Sequence, residues 1–91
     1  MTLTKKKMIR EIGRRTRLKN RDVQLMLEAL IDVWTEELVS GGRIELENFL
    51  VLEVQTIERP ANRLLPNHTF RKVTVRVSKY LRKRLGLTKI N

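Results

Sequence analysis

At Ser40-Gly41-Gly42 the spacing of apolar residues changes abruptly, and that change limits the folds open to this chain. Before it, Val23, Met26, Leu27, Leu30, Trp34 and Leu38 recur every three or four residues, the period of one helix face. After it, Ile44 and Leu46 alternate with Glu45 and Glu47, and Leu50, Leu52, Val54 and Thr56 alternate with Val51, Glu53 and Gln55. That is the period of a strand with one face buried. Paired glycines stop a helix and reverse the chain. Helices kept apart from antiparallel strands define an α+β domain.

The helical half divides in two. Thr4 is placed to cap a first helix reaching about residue 17, with Met8, Ile9, Ile12 and Leu18 as its apolar stripe. Lys5, Lys6 and Lys7 oppose the helix macrodipole at that end, which points to a compensating use for them or at least to tolerance. Leu18-Lys19-Asn20-Arg21 reads as a turn, with Asn20 the candidate cap of a second helix over about 21–39. Leu25, Ala29 and Val33 widen the apolar stripe of that helix past a single face. A helix apolar on nearly all sides is covered from two directions, and in so short a chain the second cover is a partner subunit. Met26, Leu27, Leu30, Trp34, Leu38 and, past the glycines, Phe49 are the expected dimer core.

Asn48-Phe49 marks a turn between the first two strands, and the third strand is expected over 71–77 with Val73, Val75 and Val77 inward. The stretch between holds both prolines, Pro60 and Pro66, and lacks a core-strand period, as a projecting hairpin or flexible arm would. Ser78 can cap a last helix to about residue 85, with Leu81 and Leu85 inward, Lys79, Arg82, Lys83 and Arg84 outward, and Gly86 at its end.

Composition excludes several function classes. There is no cysteine and only one histidine, His68, so neither disulfides nor a protein-only metal site is expected, and no cofactor is implied. No apolar run is long enough to span a membrane, and the basic opening residues have no apolar stretch behind them, unlike a signal peptide. The expected home is intracellular and reducing. Nothing resembles a convergent nucleophile, base and oxyanion donor, so neither an enzyme nor a small-molecule substrate is expected.

Charge is partitioned along the chain. Residues 1–27 carry nine basic and two acidic side chains, 28–58 one basic and eight acidic, and 59–91 ten basic and no acidic. The net charge of +10 favours polyanions. Segregation of this kind is not needed for solubility, which mixed charges serve equally well.

Taken together, these segments resemble the HU/IHF family of bacterial histone-like DNA-bending proteins. The resemblance is carried by Thr4-Lys5 through Ile9 and Ile12, by Thr16-Arg17-Leu18 before Asp22-Val23, and by the long apolar helix ending at Gly41-Gly42. It continues through Arg43-Ile44-Glu45-Leu46, Phe49 in the place of the family's Gly-Phe-Gly turn, and Glu53-Val54. Val73-Thr74-Val75-Arg76-Val77-Ser78-Lys79 with Leu81 completes it. The resemblance implies one domain over 1–91, an intertwined homodimer or heterodimer. Residues 1–42 would form its helical base, 43–77 a β-saddle with an arm at about 57–71, and 78–86 a C-terminal helix. It implies a cytoplasmic, nucleoid protein whose partner is double-stranded DNA. Arg59, Arg63, Arg71 and Lys72 would lie near phosphates on the arm, and Arg76, Lys79, Arg82 and Lys83 near the strand-to-helix region. Lys5 and Arg10 would meet flanking DNA.

The chain departs from the family in three places. The Arg-Gly-Phe-Gly turn reads Glu47-Asn48-Phe49-Leu50, in which Asn48 tolerates a left-handed backbone and Leu50 does not, so the turn must be built differently. The arm is shorter than is usual in the family. Its tip reads Asn62-Arg63-Leu64-Leu65-Pro66-Asn67 with no glycine. Family members wedge a tip proline between base pairs; here hairpin symmetry favours Pro66 over Pro60, and Leu64 and Leu65 can also serve as apolar wedges. The competing reading folds the two leucines back onto the domain or against a partner, with Pro66 simply a turn residue.

The resulting expectation is phosphate and minor-groove binding with low sequence specificity, accompanied by bending or compaction of the duplex. The acidic residues Glu45, Glu47 and Glu53 are expected to point outward or to pair with Arg43 and first-helix cations. The alternative is a module of the same fold used for structure or protein interaction, with weakened DNA binding. A helix-turn-helix reading fails because the second helix is too long and apolar to read base edges. Single-strand RNA recognition lacks the interleaved aromatics it would use.

Overall fold

The computed structural model describes residues 1–86. Its elements are α1 (Lys5–Thr16), α2 (Asn20–Val39), β1 (Arg43–Leu46), β2 (Leu50–Arg59), β3 (His68–Val77) and α3 (Lys79–Arg84). The three strands form one antiparallel sheet in the order β1-β2-β3, so the α+β architecture read from the periodicity holds. By internal contacts the chain divides into Met1–Thr35 and Glu36–Asn91.

Local chemistry sets the helix ends. The Thr4 hydroxyl accepts from the Lys7 backbone N–H at 3.2 Å, as its N-cap position requires. Arg17 closes α1 in the left-handed region, at φ 62°, and donates its N–H to the Gly13 carbonyl. A Cβ on Gly13 would lie 2.5 Å from Asn20 Oδ1 and 3.3 Å from the Leu18 carbonyl oxygen. Glycine is what lets the α1–α2 turn close. Asn20 is accordingly the first residue of α2 rather than its cap, with its side chain against Gly13. The adverse lysine cluster at the start of α1 is partly compensated by Lys5 Nζ, 2.6 Å from the Glu28 carboxylate.

The broad apolar stripe of α2 splits between two surroundings. Val23 is buried, at 2 % exposure, and Leu27, Trp34 and Leu38 on the same side are half-buried. Leu25, Val33 and Met26 continue the stripe along one flank at 100° per residue and are exposed within the chain, as is Leu30, which projects only about 20° from Val23. The expected core set is therefore two sets, with Met26 and Leu30 in the uncovered one. Phe49, in the turn after β1, is exposed too.

Register assigns the faces of the sheet. β1 pairs Ile44 with Leu52 and Leu46 with Leu50, while β2 pairs Leu50, Leu52 and Val54 with Val77, Val75 and Val73. These residues make one apolar face, on which Ile44 is buried but Val73 and Val75 stay more than half exposed. The opposite face carries Arg43, Glu45, Val51, Glu53, Gln55, Lys72, Thr74 and Arg76.

The turn into β2 uses a single left-handed residue, Asn48 at φ 61°, and the Phe49 N–H donates to the Leu46 carbonyl at 3.0 Å. Leu50 enters the strand directly, which answers how the turn forms without its second glycine. β2 and β3 run farther than expected, to Arg59 and from His68. No periodic pattern marks those ends because neither face of the ribbon is covered there. Ser78 caps α3 through the Leu81 N–H at 3.0 Å, and its own N–H donates to the Phe49 carbonyl at 2.8 Å. Leu81 is half-buried, whereas Leu85, expected inward, is exposed.

Candidate nucleic-acid interface

β1 begins at Arg43, opposite Glu53, so from Val54 and Val73 outward β2 and β3 continue as a two-stranded ribbon. Its pairs run through Gln55–Lys72, Thr56–Arg71, Ile57–Phe70 and Glu58–Thr69 to Arg59–His68. Strand alternation puts Lys72, Phe70, His68, Ile57 and Arg59 on one face and Arg71, Thr69, Thr56 and Glu58 on the other. On the first face the Arg59 guanidinium lies 5.6 Å from the centre of the Phe70 ring, and His68 stacks on Phe70 with ring centres 6.1 Å apart. The expected basic residues Arg59 and Lys72 are thus brought together on one ribbon surface.

The ribbon ends in a loop over 60–67 organised by two asparagines. Asn62 Oδ1 accepts from the N–H groups of Leu64 and Leu65, both at 2.8 Å, and the Asn62 N–H donates to the Leu65 carbonyl at 2.8 Å. The Ala61 N–H donates to Asn67 Oδ1. The last strand pair, Arg59 with His68, centres the loop between Arg63 and Leu64. Leu64 therefore stands at the apex, 91 % exposed, with Leu65 exposed beside it. Among the described residues neither leucine is buried. Pro66 lies on the descending limb toward β3.

Several expected phosphate contacts already have partners. Arg76 Nη2 lies 2.7 Å from Glu53 Oε1. Arg71 donates to the carbonyls of Leu38 and Val39 at 3.0 and 3.1 Å. Lys5 is paired with Glu28. Arg10, Arg59, Arg63, Lys72, Lys79, Arg82 and Lys83 make no ion pair among the described residues and are exposed. On α3, Arg82, Lys83 and Arg84 occupy the last turn, where the macrodipole favours cations.

The acidic residues are largely answered. Glu45 is 2.5 Å from Arg43, and Glu53 lies between Arg43 at 3.8 Å and Arg76. Arg43 is the partner expected for both; first-helix cations are not, since Arg14 and Arg15 hold Glu11 instead. Those two guanidinium hydrogen bonds lower the Glu11 carboxyl to about 2. Hydrogen bonds from Lys5 and Gln24 lower that of Glu28. Helical spacing signals the Glu11 pairs with Arg14 and Arg15, at three and four residues, but carries no sign of the Lys5–Glu28, Glu53–Arg76 or Arg71 contacts, which join residues remote in sequence.

Two helices, a three-stranded antiparallel sheet extended as a ribbon, and a short terminal helix define the fold of the bacterial histone-like proteins. An HU from Anabaena, solved in an HU–DNA cocrystal, superposes with a TM-score of 0.71 at 15 % identity, covering 90 % of this chain and 96 % of that one. A variant HU from Thermotoga maritima superposes at 0.72 and 22 % identity, covering 90 % and 97 %. At those identities the likeness concerns the fold. The sequence adds more, because the family model for bacterial DNA-binding proteins matches residues 3–86. A probable DNA-binding protein HU of Chlamydia trachomatis is 34 % identical over 74 residues, 74 % of this chain and 72 % of its own. The DNA-binding protein HU of Thermus thermophilus is 29 % identical over 79 residues, 87 % and 79 % of the two chains. The chain belongs to the HU/IHF family of histone-like bacterial DNA-binding proteins, which are not enzymes.

Proposed function

We propose that this protein is a cytoplasmic, nucleoid-associated architectural protein that binds double-stranded DNA as a dimer, through phosphates and the minor groove, and bends it. The observation that carries the reading is the ribbon. Arg59 and Lys72 share one exposed face, Arg63 stands at the tip, and an apolar apex lies beyond every covered surface. Phosphate contacts of this kind position a duplex without reading its sequence. An apolar apex unstacks a base step at a cost of a few kcal/mol, offset by the additional protein surface that a bent duplex wraps.

In this reading Leu64 is the leading wedge, ahead of Pro66, because it occupies the apex. Lys79, Arg82 and Lys83 continue the basic surface from α3, and Arg10 meets flanking DNA. The partner is a second copy of the chain, or a close relative in a heterodimer, covering the uncovered side of α2. That leaves deformability as the source of preference, favouring nicked, gapped, bent or A·T-rich duplexes.

Binding measured across a salt series tests the proposal. Three phosphate contacts per protomer on the arm, from Arg59, Arg63 and Lys72, give a log K against log salt slope of about −5 for a dimer, and contacts from α3 and Arg10 steepen it. A flat plot would overturn backbone neutralisation and favour the alternative, a protein-interaction module. The use of Arg71 and Arg76 within the fold is the observation that favours that second reading.

A further inference from the structure

We propose that Arg71 is a positioning residue that anchors the ribbon to the end of α2 and thereby sets where the arm flexes. This rests on the reading of the ribbon as the DNA-engaging arm.

The end of α2 needs a cation that its own sequence does not supply. Its last turn has no basic residue, and Glu36 and Glu37 there carry the wrong sign for the C-terminal end of a macrodipole. Backbone donors reach the earlier carbonyls. Ser40 donates to Glu36 at 3.1 Å, Gly42 to Glu37 at 2.8 Å and Gly41 to Leu38 at 3.0 Å. Arg71 completes the set from the sheet, giving Nη1 to the Val39 carbonyl at 3.1 Å and Nη2 to that of Leu38 at 3.0 Å. One planar guanidinium spans two adjacent carbonyls, a fork geometry that lysine cannot reproduce.

Register gives this cap its mechanical consequence. Support from β1 ends at the Glu53–Thr74 pair, and a free two-stranded ribbon is only marginally ordered. Arg71, opposite Thr56, pins the third pair beyond that point. Only the pairs Ile57–Phe70, Glu58–Thr69 and Arg59–His68 and the tip loop lie farther out. A lever held nearer its tip sweeps a smaller arc, so the anchor narrows the range of bends the arm imposes. Lys72, the next residue, faces the opposite surface and stays free for phosphate. Two adjacent cations thus divide into one for the fold and one for the ligand.

Hydrogen exchange on the free protein and bend measurements on a labelled duplex test this division. Arg71→Ala is expected to speed exchange of ribbon amides in 54–59 and 68–73 at least about tenfold relative to those of β1, the local-opening response expected when a tether is removed. It should broaden the end-to-end distance distribution of bound DNA while leaving the salt slope unchanged. Arg71→Lys should fall between the two in exchange. Lys72→Ala should leave exchange unchanged and make the slope shallower by about 0.9 for each phosphate that is no longer neutralised. Unchanged ribbon exchange in both Arg71 variants would overturn the anchor, as would an Arg71→Ala slope as shallow as that of Lys72→Ala. A flat wild-type slope would strike the proposed function alone, since exchange on the free protein still judges the anchor.

Discussion

Glu53 lies 2.7 Å from Arg76, so an acid on the polar face of the sheet holds that guanidinium directly, while Arg43, 3.8 Å from Glu53, keeps its closer partner Glu45 at 2.5 Å. Exposed pairs of this kind contribute about 0–1 kcal/mol to folding. Their larger effect is on ligand binding, because a guanidinium engaged by a carboxylate neutralises a phosphate less well. Glu53→Gln should therefore leave thermal stability nearly unchanged and strengthen DNA binding at low salt. The salt slope should steepen by up to about 0.9 for the one cation released, Arg76. Weaker binding in this variant would remove Arg76 from the interface.

The architecture was readable because each element carried its own local signal. The switch of period at Gly41-Gly42, the caps Thr4 and Ser78 and the turn at Asn48 depend on residues adjacent in sequence, and all stand where expected. The distal ribbon was less readable: pairs such as Glu58–Thr69 bury neither face and leave no hydrophobic alternation. The candidate site was readable in composition but not in geometry. The sequence shows Arg71, Lys72 and Arg76 as three similar cations, whereas the fold pins one to α2, frees one and pairs one with Glu53. Those fates depend on strand parity and on contacts between residues more than 20 positions apart.

Val33 lies in the middle of the α2 side left exposed within one chain, between Ala29 and Met26 on the helical projection. A chain of this length that fully buries so little gains much of its stability from a partner. The wild-type melting temperature should then rise with protein concentration, the mass-action signature of a folded dimer. Val33→Asp places a charge in the middle of that surface without touching the Val23 side. The variant should sediment as a monomer and melt at a lower, concentration-independent temperature. A wild-type melting temperature that ignores concentration would dispose of the dimer assignment.

Glu11 makes the acid limb of stability specific. Hydrogen bonds from Arg14 and Arg15 hold its carboxyl at about 2, below the ordinary 4.5. For a group lowered in the folded state, the stabilisation is fully present above the ordinary value and fades as pH falls through the folded one. The contribution of Glu11 to α1 is therefore lost between about pH 4.5 and 2. Glu11→Gln should flatten this part of the melting temperature against pH curve without altering its shape near neutrality. Identical acid limbs in the two proteins would show that the pairs add nothing in solution.

Leu64 owes its place at the apex to Asn62, whose side-chain oxygen accepts from the backbone of both Leu64 and Leu65. That arrangement separates presenting the wedge from being the wedge. Leu64→Ala removes apolar surface that is already in solvent, so stability should change by no more than about 0.5 kcal/mol while the DNA bend falls sharply. Asn62→Ala keeps the leucine but loses the oxygen that shapes the loop, so it should reduce the bend less and broaden its distribution. Pro66→Ala, two residues below the apex, should have the smallest effect of the three. None of these positions carries a phosphate-binding cation, so all three variants should keep the arm's contribution to the salt slope and lose at most that of the flanking contacts a bent duplex makes, which an energy-transfer bending assay run alongside the salt series would verify. If Pro66→Ala abolishes the bend while Leu64→Ala preserves it, the wedge moves to the proline, and the apex is then a turn that happens to expose a leucine.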